Sequence, residues 1–89
     1  MKTYRLTVHG LVQGVFFRKY TREKALELGL SGTVRNLENS SVEIEVTGTE
    51  SVLPDFILWC HQGPARARVD KVDIHELPLK NFSDFRIIR

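Results

Sequence analysis

A chain of 89 residues with 42% hydrophobic and 27% charged side chains can build one two-layer core, which argues against disorder and makes residues 1–89 a single domain. Its net charge of +2 is far below that of a protein living on duplex nucleic acid, and a lone cysteine, Cys60, excludes an internal disulfide framework. No apolar run approaches the roughly 18 residues of a membrane span and Met1 to Leu6 holds no apolar signal segment, so a cytoplasmic location is expected.

Tyr4, Leu6 and Val8 alternate with Thr3, Arg5, Thr7 and His9, the pattern of a half-buried strand ending at Gly10. Helical spacing runs from Phe17 to Leu28, with Phe17, Thr21, Ala25 and Leu28 on one face and Gly29-Leu30 as a left-handed stop. Gly32 to Leu37 predicts a second strand and Asn39-Ser40 a turn. Val42, Ile44 and Val46 then alternate with Glu43, Glu45 and Thr47 as a third strand with a solvated acidic side. A second helix, capped by Ser51 and started by Pro54, buries Val52, Phe56, Trp59 and Cys60 and ends at about Gln62, before Gly63-Pro64. Ala67 and Val69 fall out of phase with Val72 and Ile74; a bulge near Asp70-Lys71 would turn both pairs to the core. Phe85 and Ile87 close the chain as a short strand. The β-α-β-β-α-β order predicts an α+β, ferredoxin-like sandwich: an antiparallel sheet with two helices on one face, plus the short C-terminal strand.

The informative stretch is Gly10-Leu11-Val12-Gln13-Gly14-Val15-Phe16-Phe17-Arg18, between the first strand and the first helix. Gly14 allows positive φ, and such a turn can aim successive N–H groups at an anion, as does the positive end of the following helix. Helix starts are usually acidic, yet this one carries Arg18, Lys19 and Arg22 before its first acid, Glu23. A bound anion is the simplest remedy, although solvated charge around a tight turn accounts for the same residues equally well. Residues 10–36 hold five basic and two acidic side chains, so the small net charge hides a local excess. The three-residue spacing of Gly10 and Gly14, with no Gly-Lys-Ser/Thr after it, excludes a Walker loop and a dinucleotide fingerprint. A phosphate-sized pocket beside an arginine fork is what remains.

The nine residues Gly10 to Arg18 resemble the first signature of the acylphosphatases, and Gly32-Thr33-Val34-Arg35-Asn36 resembles their second. The likeness covers nearly the whole chain, including Gly63-Pro64 and the ending Phe85-Arg86-Ile87. It implies a hydrolase that cleaves the carboxyl–phosphate bond of acyl phosphates to carboxylate and inorganic phosphate, with no metal and no cofactor. By position, Arg18 would hold the phosphate oxygens, the backbone amides of Gln13, Gly14, Val15, Phe16, Phe17 and Arg18 would form the cradle, and Asn36 would orient the attacking water. The residue chemistry agrees, because an acyl phosphate has a good leaving group and its hydrolysis needs positioning and charge stabilisation more than a strong base. The sequence departs from the pattern at Thr33, where a large apolar residue is usual, which is expected to loosen packing beneath Asn36. It departs again at Asn39-Ser40, which replaces an Asp-Gly turn.

Other residues read more plainly. Cys60 is expected to be a buried structural thiol, Cys60-His61 lacks zinc spacing, and no metal site is expected. His9 reads as an exposed strand-end residue, and Lys19 and Arg22 as weak electrostatic steering. Glu43 and Glu45 face outward without a pocket and make no acid/base pair. An RNA-binding module of the same element order would stack bases on aromatic residues of the exposed faces of its first and third strands, where this chain has Thr3, Arg5, Thr7 and His9 and then Glu43, Glu45 and Thr47. A non-catalytic anion-binding accessory domain of this fold is the remaining alternative. The span from Met1 to just past Ile87 favours a stand-alone enzyme, expected to be a monomer with neither a nucleic-acid nor a membrane partner.

Overall fold

Five strands and two helices form along the chain as the periodicities require, in a computed structural model describing Met1 to Arg89. They are β1 (Lys2–Leu11), α1 (Phe17–Glu27), β2 (Ser31–Asn36), β3 (Val42–Gly48), α2 (Leu53–Gln62), β4 (Arg68–Leu77) and β5 (Phe85–Ile88). The sheet order is β4-β1-β3-β2-β5. The first four strands pair antiparallel, as expected, while β5 runs parallel to β2 and makes the sheet mixed. Neither helix is long and apolar enough to cross a membrane.

The core lies between one sheet face and the helices. Leu6, Val8, Val34, Val42, Ile44 and Val46 project from the sheet into it, against Phe17 and Ala25 of α1 and Leu53, Phe56 and Cys60 of α2. Phe85 joins from β5 and meets Phe56 edge-on, the ring centroids 6.4 Å apart. Gly29, at φ +71°, ends α1, with the Leu30 N–H returning to the Ala25 carbonyl at 2.8 Å.

Several expectations need correction. Ser51 does not cap α2: its hydroxyl meets that of Thr49, and the N–H groups of Val52 and Leu53 donate to the Thr49 carbonyl instead. The bulge in β4 exists, because Gly10 pairs with Val69 while His9 pairs with Lys71, leaving Asp70 extra. It brings Val69 and Val72 against the core but not Ile74, which stays 43% exposed on this edge strand. Glu43 and Glu45 are not simply solvated: their side chains are only 17% and 12% exposed and pair with Arg35, Arg5 and Lys80. Thr3, placed on the open face, is fully buried, because the 78–84 connection crosses that face between opposite sheet edges.

Candidate active site

β1 delivers the chain to the end of the sheet, and residues 12–16 turn it into α1 through two left-handed positions, Gly14 at φ +73° and Phe16 at φ +62°. The first was legible in the glycine. The second was not, since a bulky aromatic is a poor choice for that backbone state. Left-handed residues alternating with ordinary ones turn successive N–H groups toward one side. The N–H groups of Gln13, Gly14, Val15 and Phe16 donate to no backbone carbonyl, and α1 has neither a side-chain cap nor an acid in its first turn. The helix start adds its own unpaired N–H groups and the positive end of its dipole. A dense, unspent positive potential results.

The sequence-derived site residues gather here unevenly. Gly14, Phe16, Phe17, Arg18 and Asn36 line a single cleft of about 450 Å³, joined by Val12, Lys19, Ile87 and Arg89. Arg18 is half-buried and forms no hydrogen bond or ion pair with any other residue, so its fork is free for a ligand. Asn36, the last residue of β2, has the parity of the core-facing Val34 and so turns toward the helix side, where the cleft opens. Phe17 contributes backbone only, its ring being buried.

The side chains of two expected cradle residues are engaged outside the cleft. The Gln13 side chain donates to the carbonyls of Leu37 and Ser41, each at 2.9 Å, which ties the loop to the β2–β3 turn. Val15 lies beside a neighbouring groove, with Phe16 forming the wall between the two. Arg22, expected to steer an anion, donates instead to the Phe85 carbonyl at 3.0 Å and binds α1 to β5. His9 sits 3.0 Å from Asp73, away from the cleft; that hydrogen bond, with Lys71 adding to it, holds the Asp73 carboxyl below its ordinary range. Thr33 lies opposite Glu45 on the open face, so its small side chain leaves no gap beneath Asn36. Cys60 is buried, and burial pushes its thiol far up and out of reactive range.

Ile87 and Arg89 were missed. Their presence follows from the parallel pairing of β5 with β2, in which Val34 faces Ile87 and Arg35 faces Ile88, so the next step sets Arg89 beside Asn36. Only the register carries that signal. No group of three or more His, Cys, Asp or Glu residues comes together in a metal-holding arrangement. The half-buried guanidinium and free amides suit a small anion, and the Asn36 amide lines the same cleft.

A family model described as Acylphosphatase matches residues 4–87. An acylphosphatase of Marinobacter nauticus is 50% identical over 84 residues, covering 93% of this chain and 91% of that protein. The structure of an acylphosphatase from Coxiella burnetii superposes with a TM-score of 0.94 at 39% identity, over 98% of this chain and 92% of that one. The crystal structure of acylphosphatase from Bacillus subtilis superposes with a TM-score of 0.96 at 32% identity, over the whole of both chains.

Proposed function

The chain belongs to the acylphosphatase family, and from that premise we propose that Arg18 and Asn36 are the two side chains that carry the reaction. The activity is hydrolysis of the carboxyl–phosphate bond of small acyl phosphates, releasing a carboxylate and inorganic phosphate. The phosphoryl group rests on the free amides of residues 13–18 and on the Arg18 fork, whose planar donors match two phosphate oxygens at once. These donors are fixed before substrate arrives, so they stabilise charge as it spreads over the phosphoryl oxygens in the transition state. The Asn36 side-chain oxygen accepts a hydrogen bond from one O–H of the water, which aims the water's lone pair at phosphorus. A phosphoryl oxygen accepts the proton that the water loses, since no side chain of the cleft is a base. The carboxylate leaves without needing a proton. Lys19 and Arg89 at the rim raise the local concentration of a dianion.

One observation supports this reading most: a half-buried arginine with no partner shares a cleft with unspent amides and an exposed asparagine. The reading extends to residues 1–89 acting as one monomeric cytoplasmic domain without a metal and without a nucleic-acid partner. In support of the last point, the open sheet face carries Arg5, Thr7, Glu43 and Glu45 where a base would need a ring.

The test is hydrolysis of acetyl phosphate and benzoyl phosphate with EDTA present. Arg18→Ala is expected to lose at least about a thousandfold in kcat/KM, and Asn36→Ala about a hundredfold, mostly in kcat. Activity surviving in Arg18→Ala would sink the assignment, and loss of wild-type turnover in EDTA would sink the metal-free mechanism. Phosphate binding without hydrolysis would favour an accessory anion-binding role.

A further inference from the structure

Beside the phosphate cleft lies a larger groove of about 850 Å³, between α1 and the connection from α2 to β4. Its apolar wall consists of Val15, Phe16, Tyr20, Trp59, Pro64 and Ala65. Phe16 belongs to both cavities, and the residue is 60% exposed. The left-handed backbone at Phe16 is what sets the ring on this divide while its N–H joins the cradle.

In-line displacement relates the two cavities. The attacking water and the leaving oxygen must stand on opposite sides of phosphorus. α1 packs against β2 and β5 and also meets α2. With Asn36, at the end of β2, as the water-holder of the functional reading, the shared residue Phe16 makes the groove the place where the leaving carboxylate is expected to lie. Resting on the functional reading above, we propose that this groove is the acyl-binding subsite and that it selects uncharged aromatic or bulky acyl groups. Its charged residues, Glu23, Glu27, Lys24 and Arg66, balance, and Lys24 already pairs with Glu27 at 3.2 Å. A negatively charged tail therefore gains little there. An acetyl group ends before reaching Tyr20, whereas a benzoyl ring lies along the Phe16–Tyr20–Trp59 wall, where aromatic contact is favourable. The volume falls in the range of small-molecule sites.

Kinetics with benzoyl phosphate and acetyl phosphate on the full chain tests the assignment. Tyr20→Ala removes an exposed ring from the wall, and Ala65→Trp fills the groove from an exposed position. The benzoyl-to-acetyl ratio of kcat/KM is expected to fall about fivefold in the first and about tenfold in the second, read chiefly in KM for the benzoyl substrate. Trp59 is the sole tryptophan, so its emission reports occupancy directly. Benzylphosphonate is expected to change that emission, and methylphosphonate to leave it as it is. An unchanged ratio in both variants, with the wild type active on both substrates, would overturn the subsite, as would an identical emission response to the two phosphonates. A wild type that turns over neither acyl phosphate is a separate result: it removes the hydrolase reading itself.

Discussion

Two glycines flank the anion loop and fail in different ways when substituted. At Gly14, with φ +73°, an added Cβ meets nothing within 4 Å, so alanine there is opposed only by the left-handed backbone. That strain is worth about 1–2 kcal/mol, and relaxing it would turn the cradle amides off the anion. At Gly10 an added Cβ drives into the Arg68 carbonyl on β4, which is backbone and cannot give way. Gly14→Ala is therefore expected to lower Tm by about 5–10 °C and to weaken inhibition by inorganic phosphate several-fold. Gly10→Ala is expected to cost more than about 3 kcal/mol by opening the β1–β4 pairing. Thermal unfolding of the two variants beside the wild type checks this, and equal losses would mean that φ, not the close approach, governs both.

At the scale of elements, the site depends on a strap between a loop and a hairpin. Gln13 spends both amide protons on the Leu37 and Ser41 carbonyls and so fixes the cradle relative to the end of β2, where Asn36 sits. Gln13→Ala is expected to cost about 1–3 kcal/mol for the two bonds and to lower kcat on acetyl phosphate at least about tenfold, because the proposed cradle and Asn36 lose their register. Gln13→Glu should be worse in stability, its carboxylate facing two carbonyls. Unaltered kcat in Gln13→Ala would show that the hairpin is held by other means. This strap marks the boundary of what the residues disclosed on their own. Arg18, Gly14 and Asn36 were readable because each residue type has a chemistry tied to a local backbone state or to the family's two motifs. Gln13's side chain, Ile87 and Arg89 were not, since their roles arise from pairings 24 or more residues distant in the chain. The mixed sheet was hidden for the same reason: nothing local in Phe85-Arg86-Ile87 specifies which edge it joins or in which direction.

On the scale of the whole molecule, the sheet face away from the helices is closed by a polar seam. The 78–84 connection must travel from the β4 edge to the β5 edge, and it passes over the start of β1 and the end of β3. The Lys80 N–H donates to Thr3 Oγ1, so the Thr3 proton goes to Thr47 Oγ1 and the Thr47 proton to the Lys80 carbonyl, a ring of bonds at 2.9, 2.7 and 2.8 Å. Lys80 Nζ then reaches Glu45 at 2.8 Å, and Arg5 meets the same carboxylate at 2.9 Å. Burial pushes the Glu45 carboxyl up, but the hydrogen bonds from Lys80 and Arg5 outweigh it and hold the group below its usual range. The sign follows from linkage. A carboxyl depressed in the folded state stabilises fully above its unfolded value of about 4.3, and the contribution drains away as pH falls through the folded value. Glu45→Gln removes the titration but keeps the shape. The wild type is expected to be the more stable of the two at pH 7, with the gap narrowing steadily below about pH 4.3 as Glu45 takes up its proton. Urea unfolding of both proteins from pH 7 to the foot of the acid limb measures the gap directly. A gap that stays constant through that range would mean the carboxylate is a spectator and that the threonine ring alone holds the crossing strap to the sheet.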